Sequence, residues 1–202
     1  MELFRKGRVL VKNVILMAGP NGAGKTTFAL EYLRDHDYEY ISADEIAQKL
    51  VSRSEDLNKV KVKAGRLFFQ EISRLIEAEK DFVVEVTLAG RGFQRIIRRL
   101  KDAGYAVTII FLFLESPDVC VARVKKRVMA GGHNVPEEDI VRRFYRSKDN
   151  FWNIYRDQVD RWHLFYNSEA HAQEVAFGKG IRFTVIDEGR FGSFMRDIED
   201  RG

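Results

Sequence analysis

The stretch AGPNGAGKTTFA, residues 18–29, decides how this chain is read. Gly19-Pro20-Asn21-Gly22-Ala23-Gly24-Lys25-Thr26 matches G-x-x-x-x-G-K-[ST]; it follows the apolar run NVILMAG and opens a helical pattern, the setting in which that spelling cradles a polyphosphate. Glycines let consecutive backbone N–H groups curl around an anion, and the N-terminus of the following helix adds partial positive charge. Lys25 is expected to reach the β- and γ-phosphates and Thr26 to ligate Mg²⁺, with Gly19, Asn21, Gly22, Ala23, Gly24 and Thr27 completing the cradle. A nucleoside triphosphate with Mg²⁺ is therefore the expected cofactor pair, ATP or GTP on the loop alone.

Outward from this loop, short apolar runs alternate with amphipathic stretches. NVILMAG, YEYIS, DFVVEVTL, YAVTIIFLFLE, HLFYNS and RFTVID read as strands, with helical patterns between most of them. The alternation predicts an α/β domain with a mostly parallel sheet of five or six strands between helical layers. Ser54 before an acidic start, Gly104 after FQRIIRRLKDA, Ser116-Pro117 and Pro136-Glu137-Glu138 mark helix ends. AGGHNVP, residues 130–136, is the clearest internal loop; its Gly131-Gly132 suits a lid that moves, and residues 117–150 are expected to form it.

With 202 residues, 45% of them hydrophobic and 32% charged, and no Pro-, Gly- or Ser-rich divide, the chain reads as one soluble domain spanning 1–202. The single Cys120 excludes an internal disulfide and fits a reducing compartment. The N-terminal MELFRKGRVLVKNVILMAGP lacks a signal peptide's long apolar core and cleavage site, and TIIFLFL (108–114) is too short to span a bilayer. A cytoplasmic protein without membrane contact is expected. The net charge of +4 is as much as a polyphosphate pocket needs, so it does not call for nucleic acid.

The loop does not name the reaction. Its spelling resembles that of ABC-type ATPases, and FTVIDE (183–188) imitates their metal-binding strand. No LSGGQ-like signature accompanies it, so Asp187-Glu188 reads as the polar end of the last strand. Two carboxylates stand where ligands bind in open α/β sheets, at the carboxyl ends of early strands. Asp44, in YISADEIA, is either a reacting acid or the first-turn acid of the capping box Ser42-Ala43-Asp44-Glu45. Glu85 interrupts a run of valines, where a charge is costly unless paired or bound to a ligand; Thr87 faces the same way two residues on. Arg123 and Arg127 on one helix, then Arg142, Arg143 and Arg146 on the next, could neutralise a transferring phosphate from either side of a lid, although each alone could be a solvated surface charge.

In serial order, AGPNGAGKTTFA, ISADEIA, AGRLFFQEI, VEVTLAGRG, FLFLESPDVCVARVKKRV, GGHNVPEEDIVRRF and FYNS, spanning about Asn13 to Ser168, resemble the zeta toxin family of P-loop kinases, particularly its compact bacterial branch. That resemblance implies the P-loop NTPase three-layer sandwich with strand order 2-3-1-4-5, and transfer of the γ-phosphate of ATP to a hydroxyl of UDP-N-acetylglucosamine or a related nucleotide sugar. It implies Asp44 as general base, Lys25 as the loop lysine, and Glu85, Thr87 and Arg91 on the acceptor. Arg123 or Arg127 would be the first lid arginine. The second aligns with His133, so Arg142 or Arg143 would take its place on the ATP phosphates. Asn167, in FYNS, would lie near the adenine. An antitoxin-like protein that blocks the nucleotide site is the implied partner.

Two other readings stay open. A kinase for nucleic-acid 5′ ends would need stacking aromatics, which NFWNIYRDQVDRWHLFY (150–166) offers; yet Phe151, Ile154, Tyr155 and Val159 fall at helical core spacing. A slow ATPase acting as a switch would need no acceptor.

Overall fold

The computed structural model describes residues 11–51, 57–168 and 171–199; the helix start expected at Ser54 lies outside them. The expected parallel sheet is present. β1 (Lys12–Ala18) lies between β3 (Phe82–Val86) and β4 (Tyr105–Phe113), β2 (Glu39–Ser42) pairs with β3, and β5 (Arg161–Tyr166) pairs with β4, all parallel. The order 2-3-1-4-5 is that of the P-loop kinase fold. Val14, Leu16, Val84, Val107, Ile109 and Phe111 are fully buried, because helices cover both faces and a parallel strand so enclosed must be apolar along its whole length.

Among the described residues the sheet has seven strands rather than five or six. β6 (Gln173–Lys179) runs antiparallel to β5, and β7 (Arg182–Val185), the expected RFTVID strand, pairs with β6 at the edge. QEVAFGK escapes the sequence pattern because only its middle is buried.

α1 (Lys25–Leu33) packs on one face of the sheet over Ile15, Met17 and Leu112. α3 (Leu57–Glu77), α4 (Gln94–Asp102) and α7 (Glu188–Glu199) contribute to the larger core on the other face, and α2 (Ala43–Val51) joins it through Ala43 and Ile46. α4 stops where expected, at Gly104 with φ 81°. α5 (Pro117–Met129) and α6 (Glu137–Asn150) form a third cluster around Cys120, Val124, Ile140 and Phe144, in the segment expected to be the lid. Ser116 caps α5 by accepting a hydrogen bond from the Val119 N–H at 3.4 Å, with Pro117 in the first turn.

After α6 the helix continues as a π-helical turn, Phe151–Tyr155, and then a short 3₁₀ turn. Phe151 and Tyr155 are fully buried and Val159 nearly so, with Phe151 stacked on Phe111 and close to Trp162 and Phe194. The aromatic segment is core, as its helical spacing implied, and not a platform for bases.

α6 is tied to α7 by a buried charge. Lys148, 1% exposed, pairs with Asp197 and sits over the rings of Phe113, Phe144 and Phe194. Burial lowers its proton affinity, and Asp197 opposes that shift. Breaking a buried pair strands a charge, whereas replacing it by apolar bulk need not cost anything. Asp197→Ala is therefore expected to lower stability in urea unfolding by about 3 kcal/mol, while replacing both partners, Lys148→Met with Asp197→Leu, stays within about 1 kcal/mol of the parent.

Candidate active site

The loop after β1 is shaped by close approach. Gly19 has φ 137°, and a Cβ there would lie 2.2 Å from the Leu112 carbonyl oxygen of β4. Gly24 has φ 86°, and its Cβ would collide at 2.4 Å with the Asn167 amide, which reaches in from the end of β5 to donate to the Ala23 carbonyl at 2.7 Å. Only glycine fits either position. Asn167 thus braces the loop itself, and its own N–H donates to the Phe113 carbonyl at 3.0 Å.

Lys25, 6% exposed, donates to the Pro20 carbonyl at 2.9 Å and lies 3.8 Å from Glu85. Burial pushes its pKa down; Glu85 and then Asp44 pull it back up, and Arg127 pushes it down slightly further. Thr26 donates to Glu85 Oε2 at 2.8 Å, and Tyr40 donates to the same oxygen at 2.7 Å. Register explains the meeting: Glu85 of β3 is the partner of Met17 in β1 and of Ser42 in β2, so it stands beside the loop. Burial, then Glu85, raises the Tyr40 pKa, which keeps the phenol a donor. Thr27 is exposed in the first turn of α1.

A cleft of about 490 Å³ opens beside this cluster. Lys25, Asn21, Asp44, Glu85, Thr87, Arg142, Arg143 and Arg146 supply its polar lining; Phe68, Phe69 and Phe93 supply rings. Arg143 donates to the Asn21 side chain at 3.3 Å, joining α6 to the loop, and Arg142 pairs with Asp139. The cleft therefore gathers Asp44, Glu85, Thr87 and the second basic set. Arg91 is exposed and does not line it. Nor do the α5 arginines: Arg123 donates to the Ser168 carbonyl at 3.1 Å and Arg127 to the His133 carbonyl at 2.8 Å, which ties the Gly-Gly loop back to α5. Asp187, the ABC-like acid, caps α7 by accepting from the Arg190 N–H at 2.9 Å, at the end of the sheet's outermost strand.

Sequence reasoning missed Tyr40 and the three phenylalanines. Tyr40 shares the parity of Ser42 on β2 and so points toward the carboxylate beside it, a signal visible only once the β2–β3 pairing is known. The residues present fit ATP and Mg²⁺: a glycine-shaped cradle closed to side chains, a buried cation on its rim, and a hydroxyl and carboxylate supplying the hard oxygens that Mg²⁺ prefers. Among the described residues no three His, Cys, Asp or Glu cluster as a self-sufficient metal site.

Loop, sheet order and cleft together define the P-loop kinase fold. The chain belongs to the AAA domain family (AAA_33), whose model matches residues 14–146. It is 32% identical over 84 residues to a cytidylate kinase of Saccharolobus islandicus, a match covering 38% of this chain and 44% of that protein. In three dimensions it resembles the AvrRxo1-ORF1:ORF2 complex with ATP, with a TM-score of 0.73 at 15% identity, covering 91% of this chain and 63% of that one. It also resembles the PezAT chromosomal toxin-antitoxin system of Streptococcus pneumoniae, with a TM-score of 0.61 at 14% identity, covering 98% and 90%. The chain thus spans less than two thirds of the length of the cytidylate kinase and of the AvrRxo1 chain. No helix among the described residues is long and apolar enough to cross a membrane.

Proposed function

We propose that this protein transfers the γ-phosphoryl group of ATP to a hydroxyl of a small molecule, UDP-N-acetylglucosamine or a related nucleotide sugar. The observation that carries the reading is the convergence of Lys25, Asp44 and three α6 arginines on one cleft beside the Thr26–Glu85 pair. Asp44 takes the acceptor's hydroxyl proton as the acceptor oxygen bonds to the γ-phosphorus; the bond from that phosphorus to the β–γ bridging oxygen breaks, and ADP leaves with the electron pair. Lys25 and the arginines stabilise the charge that spreads over the transferring group. Mg²⁺, held by Thr26 with Glu85 behind it, would neutralise charge on the β- and γ-phosphates.

Glu85 is assigned here to Thr26 and the metal, and Thr87 to the acceptor; Arg91 stands at the acceptor end by resemblance alone. Arg142 and Arg143 contact ATP phosphates. Arg123 or Arg127 serves as the lid arginine on α5. The whole chain acts as one cytoplasmic domain with residues 117–150 as its lid, and an antitoxin-like protein is its partner. The AvrRxo1-ORF1:ORF2 structure and the PezAT toxin-antitoxin system among its structural neighbours support that partner.

ADP release with ATP and Mg²⁺, with and without UDP-N-acetylglucosamine, tests the reading when coupled to mass analysis of the sugar nucleotide. Stimulated release and one added phosphate are expected. Unstimulated release would leave a slow ATPase, and phosphate found instead on a 5′-hydroxyl oligonucleotide would make the acceptor a nucleic-acid end.

A further inference from the structure

The chain leaving β3 runs along the cleft as Thr87–Phe93 before α4 begins, and Thr87, Leu88, Ala89, Gly90, Gly92 and Phe93 wall the cleft there. Leu88 is buried with φ 55°, the left-handed region that an L-residue keeps only where its surroundings over-determine it. Its carbonyl accepts a hydrogen bond at 2.9 Å from the side chain of Asn150, itself 5% exposed. Two residues on, the Gly90 carbonyl accepts from the Tyr155 hydroxyl at 2.5 Å.

Tyr155 is fully buried, so its hydroxyl needs an acceptor, and the acceptor it finds is the carbonyl of Gly90 on the cleft wall. Asn150 is the last residue of α6 and Tyr155 the last of the π-helical turn that follows. Such a turn inserts a residue and re-aims the side chains after it, and π turns recur at functional sites. The same helix carries Arg142, Arg143 and Arg146 into the cleft and touches the loop through Asn21.

We infer that Asn150 and Tyr155 are positioning residues that clamp the 87–93 segment to the lid helix, so that the wall facing the acceptor is set by α6 and moves with it. The inference rests on the kinase reading in taking the occupant of that side of the cleft as the acceptor. It assigns Asn150 and Tyr155 to acceptor binding and not to nucleotide binding, although neither lines the cleft.

Tyr155→Phe removes one hydroxyl, and Asn150→Asp removes the donor while keeping the size. In the full-length protein, amide hydrogen exchange in peptides covering 87–93 is expected to quicken by about fivefold or more in each variant, the equivalent of one lost hydrogen bond, with the 19–27 peptide unchanged. With UDP-N-acetylglucosamine as the acceptor probe, its KM is expected to rise about fivefold while the KM for ATP stays within about twofold. Unchanged exchange at 87–93 in Tyr155→Phe, or a KM for ATP that rises in step with that for the acceptor, would overturn the clamp. If the parent protein does not turn over the probe, that acceptor fails, and the exchange of 87–93 relative to 19–27 still decides the clamp.

Discussion

Asp44→Asn is expected to lower acceptor-dependent turnover by roughly two to four orders of magnitude while nucleotide affinity is retained. Asp44 is exposed in the first turn of α2 and lines the cleft near Lys25, so the substitution removes a proton acceptor without disturbing the core. An acid that served only to complement the helix dipole would contribute stability of roughly 0.3–1 kcal/mol and nothing to rate. The two roles separate cleanly in one pair of measurements: steady-state ADP release and binding of a fluorescent ATP analogue. A parallel fall in both would remove Asp44 from proton transfer.

Glu85→Gln is expected to reduce turnover by about tenfold to a hundredfold and to raise the Mg²⁺ concentration for half-maximal rate by about tenfold, with the acceptor KM unchanged. The amide keeps the shape and can still accept from Thr26 and Tyr40, so what is lost is the negative charge behind the metal-binding hydroxyl and beside Lys25. A raised acceptor KM at constant Mg²⁺ demand would instead place Glu85 where the resemblance to zeta toxins puts it. Titrating Mg²⁺ and acceptor separately at saturating ATP distinguishes the outcomes.

The central strands β1, β3 and β4 were legible because each is largely a run buried on both faces, and such runs announce themselves in composition. β6 was not, since an antiparallel strand near the sheet's edge needs apolar residues only where it is covered: Val175 and Ala176 are buried, Phe177 and Lys179 face out. The loop was legible because phosphate chemistry dictates its spelling. Glu85 could be singled out as a misplaced charge, but its partners Thr26 and Tyr40 lie 59 and 45 residues away and follow from pairing register, which no local pattern encodes. Tyr155 was legible only as core and Asn150 carried no signal, because their polar atoms act on backbone carbonyls, and a carbonyl leaves no mark in the sequence.

The Asn167 amide that braces the phosphate loop comes from 144 residues further along the chain than the carbonyl it holds. During synthesis the loop and α1 leave the ribosome early, but their brace emerges only after β4, the lid helices and β5 have been made. A nascent chain therefore carries a loop whose spelling is complete and whose shape is not. ATP, which stabilises whatever state binds it, can favour the finished protein and gives no comparable help to the growing one. Nucleotide capture thus waits on the end of the fifth strand, and a truncation that stops short of residue 167 is expected to abolish it even though every residue of the loop is present.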